Sequence, residues 1–588
     1  MTGRNSDHFA ADIIAGVALV AHSVYVNVMT DSKIWQTRYI HPRPWETAYP
    51  AMTMPAMLAE ASAPRPGAPL IDFMGRHYSY GETLDGARRV AAGLHGLGIR
   101  AGDRIGLFLP NVPHYVAAYY GALMLGAVVV NFSPLYSVEE LADQVADSGT
   151  RLLFTLSATA LLPTALAVLE ASALERLVVG SIAGALPAGK SILYRMLRRK
   201  EVAARPHDPR ITSFSTLIAN DGAFPEPAID AERDIALIQY TGGTTGVPKG
   251  AMLTHQNLTA NARQIVDVDP HAGQPDRIIG ALPLFHIFAN ACVLNRTVRN
   301  RGMMVLLPRF EAKAVLAAVA RTKATALPGV PTMYQALMDH PDIATADLSS
   351  LRVCVSGGAP LPGVVKTRFE TMTGATLIEG YGLTESGIAS ANPYEGASQV
   401  GTIGQPLPAT IFRLVDREDP SRPAPAGEPG EIVIQGPQVM QGYWNRPEPD
   451  AGTFCDGGLR TGDVGVIGED GFIRIVDRLK DMISVGGFKV FPSRVETVLY
   501  RHPSVREAIV IGIPDVYQGE RPKAFVTLRE DAEPVDGATL LAWLNPLVGK
   551  HERCAAVEVR LTLPKTLVGK LSRKELVAEE AERAAAST

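Results

Sequence analysis

The chain has 588 residues, 46% apolar and 20% charged, with a net charge of −4. That length exceeds what one hydrophobic core supports and predicts at least two domains, while the near-balanced charge excludes a nucleic-acid binder of the basic-patch kind. Four isolated cysteines (Cys292, Cys354, Cys455, Cys554), with no C-x-x-C spacing, exclude a zinc ribbon or disulfide framework and suit a reducing compartment.

The first distinctive segment is Ile13 to Val28, an apolar run interrupted by His22, Ser23 and Asn27. It is short for a membrane span and lacks a clear cleavage site, so residues 1–34 are read as an extension. A weak anchor and a start codon upstream of the true one, with Met29 as the natural opening, are both kept, and a cleaved leader is the poorest fit. Short apolar runs ending in Gly or Pro then recur: RIGLFLP (104–110), RLLFTL (151–156), IALIQY (235–240), MMVLLP (303–308), LRVCVSGG (351–358) and TLIEGYG (376–382). Helix-like stretches lie between several of them, around 117–125 and 311–321. This alternation predicts an α/β fold with largely parallel sheets. A Pro-rich connection at 419–430 leads into a β-rich region. After VDRLKDM (476–482) the pattern restarts on a smaller scale, with a helix opening at Pro492 and strands at 508–513, 523–528 and 557–563. The expected organisation is a large α/β domain over 35–479 and a small α+β lid over 480–588.

Three loops carry candidate chemistry. TGGTTGVPKG (241–250) follows a strand and is not a Walker A loop, because Pro248 precedes Lys249 and Gly250 follows it. Its Gly242, Gly243 and Gly246 let backbone approach a phosphate chain, and Thr241, Thr244, Thr245 and Lys249 add donors. The competing reading is a plain Gly/Thr hairpin turn. GYGLTES (380–386) supplies Tyr381 to stack on a purine, Thr384 for a phosphate oxygen and Glu385 for Mg²⁺, which needs only one or two protein carboxylates beside phosphate oxygens. RTGDVG (460–465) sets Asp463 where a carboxylate accepts from two ribose hydroxyls, with Arg478 as a second contact. Alone, Asp463 reads as a solvated loop residue, and Lys570, in a basic tail, as a solvated lysine.

In chain order, TGGTTGVPKG, PLFHIF, SGGAP, GYGLTE, RTGDVG, DRLKDMISVGGFKVFP and PKTLVGKLSR resemble the acyl- and aryl-CoA synthetases of the adenylate-forming superfamily, from about Trp35 to Glu575. The flanking NFSPLYSVEELADQVADSGTRLLF (131–154) and GPQVMQGYWNRPE (436–448) are similar to bacterial long-chain fatty acid–CoA ligases. The resemblance implies ATP, Mg²⁺ and CoA, a fatty acid as substrate, and two half-reactions through an acyl-adenylate. It implies Lys570 between the carboxylate and the α-phosphate, and Gly358, Ala359, Pro360 and Tyr381 around adenine. It also implies His286 at the pantetheine path, a hinge at Lys480, and a Gly486–Gly487–Phe488 loop presented to CoA after the lid rotates. The acyl pocket falls near Phe285, Asn290, Gly329, Val330, Tyr334 and Gly382. Two departures stand out: Ile483–Ser484 where many relatives have Ile-Lys, and Asn290 where some long-chain relatives carry a gating Trp. The remaining readings are a ligase loading an acyl carrier protein, a medium-chain or aryl acid–CoA ligase, and a non-catalytic lipid-binding protein. SILYRMLRRKE (191–201) sets Ile192, Leu193, Met196 and Leu197 beside Arg195, Arg198, Arg199 and Lys200. That pattern suits peripheral contact with the inner face of a membrane by a cytoplasmic protein, or simply an exposed helix. Whether the chain is a homodimer is left open.

Overall fold

The computed structural model describes residues 33–586 apart from 242–247, 426, 447–451, 487, 531 and 567–568. The extension and the Met29 reading therefore lie outside the described residues, as do Gly242, Gly243, Thr244, Thr245, Gly246 and Gly487. No helix among the described residues is long and apolar enough to cross a membrane.

The predicted strands form. Arg104–Leu107, Thr150–Leu156 and Ile235–Tyr240 belong to one sheet, in which Val128–Asn131 lies parallel between Arg104–Leu107 and Ile235–Tyr240. Met303–Leu306, Val353–Ser356 and Thr376–Leu383 belong to a second, whose centre runs parallel from Met303–Leu306 through Arg277–Gly280, Ala326–Gly329 and Val353–Ser356 to Thr376–Leu383. Val-, Ile- and Leu-rich strands buried on both faces favour such parallel pairing. Helices cover them. Ala312–Thr322 packs Val315, Leu316 and Val319 inward, and Pro113–Met124 buries Tyr115, Tyr119 and Tyr120. The glycine-rich segment departs from parallel alternation, since Ile235–Tyr240 pairs antiparallel with Gly250–Thr254, Tyr240 opposite Gly250. The segment 241–249 thus connects two arms of a hairpin.

A third sheet, Ile411–Val415, Gly430–Gln435, Gly458–Ile467 and Ile473–Arg478 with the short Phe454–Cys455, is antiparallel. Its core contains Trp35, Trp45, Tyr381, Phe412 and Ile473. Trp35 Nε1 donates to Gly471 O at 2.9 Å and Trp45 Nε1 to Thr410 O at 2.8 Å, so both indoles bury their rings without orphaning an N–H. From Ile483 onward Val505–Asp515 and Gly519–Leu528 form a long hairpin with its own core of Val495, Leu499, Val510, Val526 and Leu540. The strand expected over 557–563 is shorter, Ala556–Val559, and the alanine- and glutamate-rich tail is the helix Lys574–Ala586.

One buried polar feature is an ion cluster. Arg296 is 4% exposed; its Nη1 meets Asp276 Oδ2 at 2.9 Å and its Nη2 meets Asp269, while Arg352 Nη2 holds the other Asp276 oxygen at 2.8 Å. Removing one partner from a buried charge group leaves the rest uncompensated. Arg296→Met is expected to cost about 3–5 kcal/mol, read as a lower urea midpoint, with part of the loss recovered when Asp269→Asn is added.

Candidate active site

A cavity of about 1120 Å³ opens between the second sheet, the antiparallel sheet and the C-terminal unit. It exceeds the usual volume of a single small-molecule site. Its lining combines the polar Tyr381, Asp463, Arg478 and Lys570 with apolar side chains that include Phe285, Phe288, Ile278, Val353 and Ile378.

Asp463 is the centre of the polar group. It sits on Gly458–Ile467, is 2% exposed, and accepts from Tyr381 Oη at 2.6 Å on one oxygen and pairs with Arg478 Nε at 2.8 Å on the other. The pairing is built into the sheet, because Asp463 and Arg478 are register partners on adjacent strands. Each carboxylate oxygen keeps a second lone pair for a ligand hydroxyl. Asp463 is therefore a buried, doubly held carboxylate, not the solvated loop residue that it reads as when taken alone. Burial, and then the neighbouring Asp463 charge, push the Tyr381 phenol far above its usual range, which keeps it a neutral donor.

Lys570 reaches this centre from the far end of the chain. A Cβ on Gly358, whose φ is +80°, would fall 2.2 Å from Lys570 Cε and 2.7 Å from Nζ, so the lysine stem lies directly over the glycine. Ala359 and Pro360 continue the same wall. Burial, then the Arg478 charge, lowers the Lys570 pKa to about 8. His286 lies deeper; burial and the Lys570 charge lower its pKa to about 3, so the imidazole is neutral. Its Nδ1 accepts from Phe288 N at 3.2 Å, which assigns the proton to Nε2.

Behind Glu385, Tyr443 joins two predicted residues. Its hydroxyl donates to Glu385 Oε1 at 2.7 Å, and Lys249 Nζ lies 5.0 Å from its ring centroid. Thr241 and Lys249 close the base of the glycine-rich segment through Thr241 N–H to Lys249 O at 2.9 Å. Thr384 and Glu385 line the cavity beside Lys480, whose pKa burial lowers. The donor set suits Mg²⁺, since Glu385 lines the cavity with one oxygen engaged by Tyr443, and a ligand's phosphate oxygens would complete the shell.

Not every predicted residue reaches the cavity. Phe285 and Gly382 line it. Tyr334 is fully buried behind the wall, its hydroxyl donating to Leu327 O at 2.7 Å and Val355 O at 3.0 Å. Gly329 lies against the Tyr334 ring, Val330 is 1% exposed, and Asn290 is enclosed at the start of a π-helical turn, Asn290–Asn295. These four back the wall rather than line the cavity. Gly486, at φ +56°, forms a turn outside the cavity, its N–H on Gln518 O at 2.8 Å, and Phe488 beside it is 64% exposed against His551. Two site residues escape the motif pattern. Tyr443 lies in the GYW segment that carries part of the resemblance, and Glu379 lines the cavity with a carboxyl that burial pushes up to about 8.

Residues 58–444 match the family model described as AMP-binding enzyme, and 494–570 match that of the AMP-binding enzyme C-terminal domain. The chain belongs to the AMP-binding enzyme family. The chain is 39% identical to the long-chain-fatty-acid–CoA ligase of Bacillus subtilis over 94% of this chain and 99% of the relative. It is 36% identical to the enzyme of that name from Escherichia coli O6:H1, over 92% and 98%. The solved structure of ATP-bound MatB from Rhodopseudomonas palustris superposes with a TM-score of 0.78 at 29% identity, covering 90% of this chain and 99% of that one. The superfamily expected from the motif order is the one found, and so is the α/β class.

A lysine with a pKa near 8 is a stronger nucleophile at neutral pH than surface lysines, whose amines stay protonated. In this AMP-binding enzyme, amine-reactive labelling followed by peptide mapping should modify Lys570 from about pH 7.5, ahead of other lysines. Arg478→Gln removes a repelling cation and frees Asp463, both of which favour the protonated amine, so the onset should move to higher pH.

Proposed function

We propose that the protein activates a long-chain fatty acid with ATP and passes the acyl group to CoA. It is an acid–thiol ligase working through two displacements. A carboxylate oxygen attacks the α-phosphorus, the bond to the β-phosphate oxygen breaks, and pyrophosphate leaves. The CoA thiolate then attacks the acyl carbonyl, and the bond to AMP breaks. The observation that carries this reading is the convergence of Lys570, Asp463 and Arg478 on one cavity that also has an extensive apolar lining.

Both reactants of the first step are anions, and a cation between them offsets their repulsion in a water-poor cleft. Lys570, bridging carboxylate and α-phosphate, fills that role, and phosphate binding restores any proton lost near pH 8. The segment from Thr241 to Lys249 receives the β- and γ-phosphates, with Thr384 alongside. Glu385 would hold Mg²⁺, which neutralises phosphate charge when bound. Asp463 and Arg478 take the ribose, and Gly358, Ala359, Pro360 and Tyr381 frame adenine. Neutral His286 sits where the pantetheine arm would pass.

The second step needs a different lid. With Lys570 in the cleft, the Gly486 turn is outside it. A rotation of residues 480–588 against 35–479 about Lys480 would exchange the two. Fatty acid is best collected from a bilayer, and the helix Ala188–Leu197 suits that task. Ile192, Leu193, Met196 and Leu197 are 53–72% exposed on it, next to Arg195, Arg198, Arg199 and Lys200. The reading is therefore of a cytoplasmic enzyme with peripheral contact to anionic lipid.

Incubation with ATP, Mg²⁺ and palmitate should release AMP and form palmitoyl-CoA together when CoA is supplied. Lys570→Ala should slow adenylate formation ~10²-fold. Adenylate that builds up while CoA is ignored would move the acceptor to a carrier protein, and no AMP with any chain length would end the ligase reading.

A further inference from the structure

The helix Pro331–Met338 begins in the GVPT segment, where the family resemblance places part of the acyl pocket. Its first turn does something else. Thr332 Oγ1 donates to Gly569 O at 2.7 Å, and Gly569 immediately precedes Lys570. Gly569 is at φ +82°, a left-handed turn that aims its carbonyl at the helix. At the opposite end, the capping residue Asp339 pairs through Oδ2 with Arg506 Nη2 at 3.0 Å. Arg506 lies on Val505–Asp515, in the C-terminal unit. Thr332 and Asp339 are seven positions apart, roughly 10 Å along a helix axis. Ser493 also ties the unit beside Lys480, donating through Oγ to Val476 O at 2.7 Å, but a tie so close to the hinge residue permits rotation about it, whereas two contacts on one rigid rod farther out fix the orientation.

The contacts are also of a kind that can open. Asp339 keeps Gln335 Nε2 at 2.8 Å and Arg368 Nη1 at 3.3 Å on its other oxygen, so releasing Arg506 leaves no unpaired carboxylate. Both members of the pair are about one-third exposed, at 33% and 30%, so water takes over on separation.

We propose that this helix is a two-point clasp, with Thr332 and Asp339 as positioning residues that seat Lys570 for adenylate formation and let go before the second step. Only the second arm of the test rests on the ligase reading. In the first arm, spin labels on M372C and L561C, exposed positions on the two sides, report the inter-unit distance without substrate in a Cys455→Ser background. Thr332→Val with Arg506→Gln should broaden that distribution, and Thr332→Ser with Arg506→Lys should preserve it. An unchanged distribution in the Val/Gln pair would overturn the clasp. In the second arm, palmitate-dependent ATP–pyrophosphate exchange should fall about tenfold in the Val/Gln pair while acyl transfer from supplied palmitoyl-adenylate to CoA holds. Equal loss in both halves would also overturn it. Absence of exchange in the unaltered enzyme would instead sink the ligase reading, with the distance arm still deciding the clasp.

Discussion

The structure turns on one carboxylate. Asp463 is withdrawn from solvent in the antiparallel sheet, yet it is held by a phenol from the second sheet and a guanidinium two residues before Lys480. The strand that carries Tyr381 is thereby tied to the paired strands that carry Asp463 and Arg478, through one carboxylate withdrawn from water. Arg478 makes the charge tolerable, and the same charge sustains Arg478 against burial. Lys570 then enters a field that already contains both signs. Its proton is loosened by burial and by Arg478, and partly retained by Asp463. Without Asp463, Arg478 would lose its paired carboxylate and Lys570 the opposing charge that helps it keep its proton.

Much of the architecture was legible because strand signals are local. IALIQY and LRVCVSGG are apolar runs bounded by Gly, and each became a strand where it was expected. The antiparallel return of Gly250–Thr254 was not legible, since pairing direction depends on where the partner strand lies. The loops were found through motif order rather than through any single residue, as Asp463 illustrates. One aspartate between glycines says nothing of burial, because burial depends on Tyr381 and Arg478 arriving from elsewhere.

The acyl wall shows the same limit from the other side. Gly329, Val330 and Tyr334 are close to the cavity in sequence terms, since Pro331 and Thr332 line it, but the hydroxyl of Tyr334 turns inward to two carbonyls. Facing direction is a tertiary property, and a one-residue step along a strand or a helix start reverses it. Tyr443 was missed for a related reason. A tyrosine in a GYW turn carries no chemistry until Glu385 and Lys249 are placed beside it.

Gly358 does more than bend the chain. A missing side chain usually means conformational licence, and the φ at this position does require that. But the space a methyl group would fill is the space the Lys570 stem crosses. The residue is therefore a passage for the lysine stem as well as a bend in the backbone. A chain that gained a single carbon there would keep every acid, base and cation of the centre, yet it would strain the backbone and push the lysine stem off its present path. Chemistry that depends on a visiting side chain is thus vulnerable at the doorway, a place where nothing reacts.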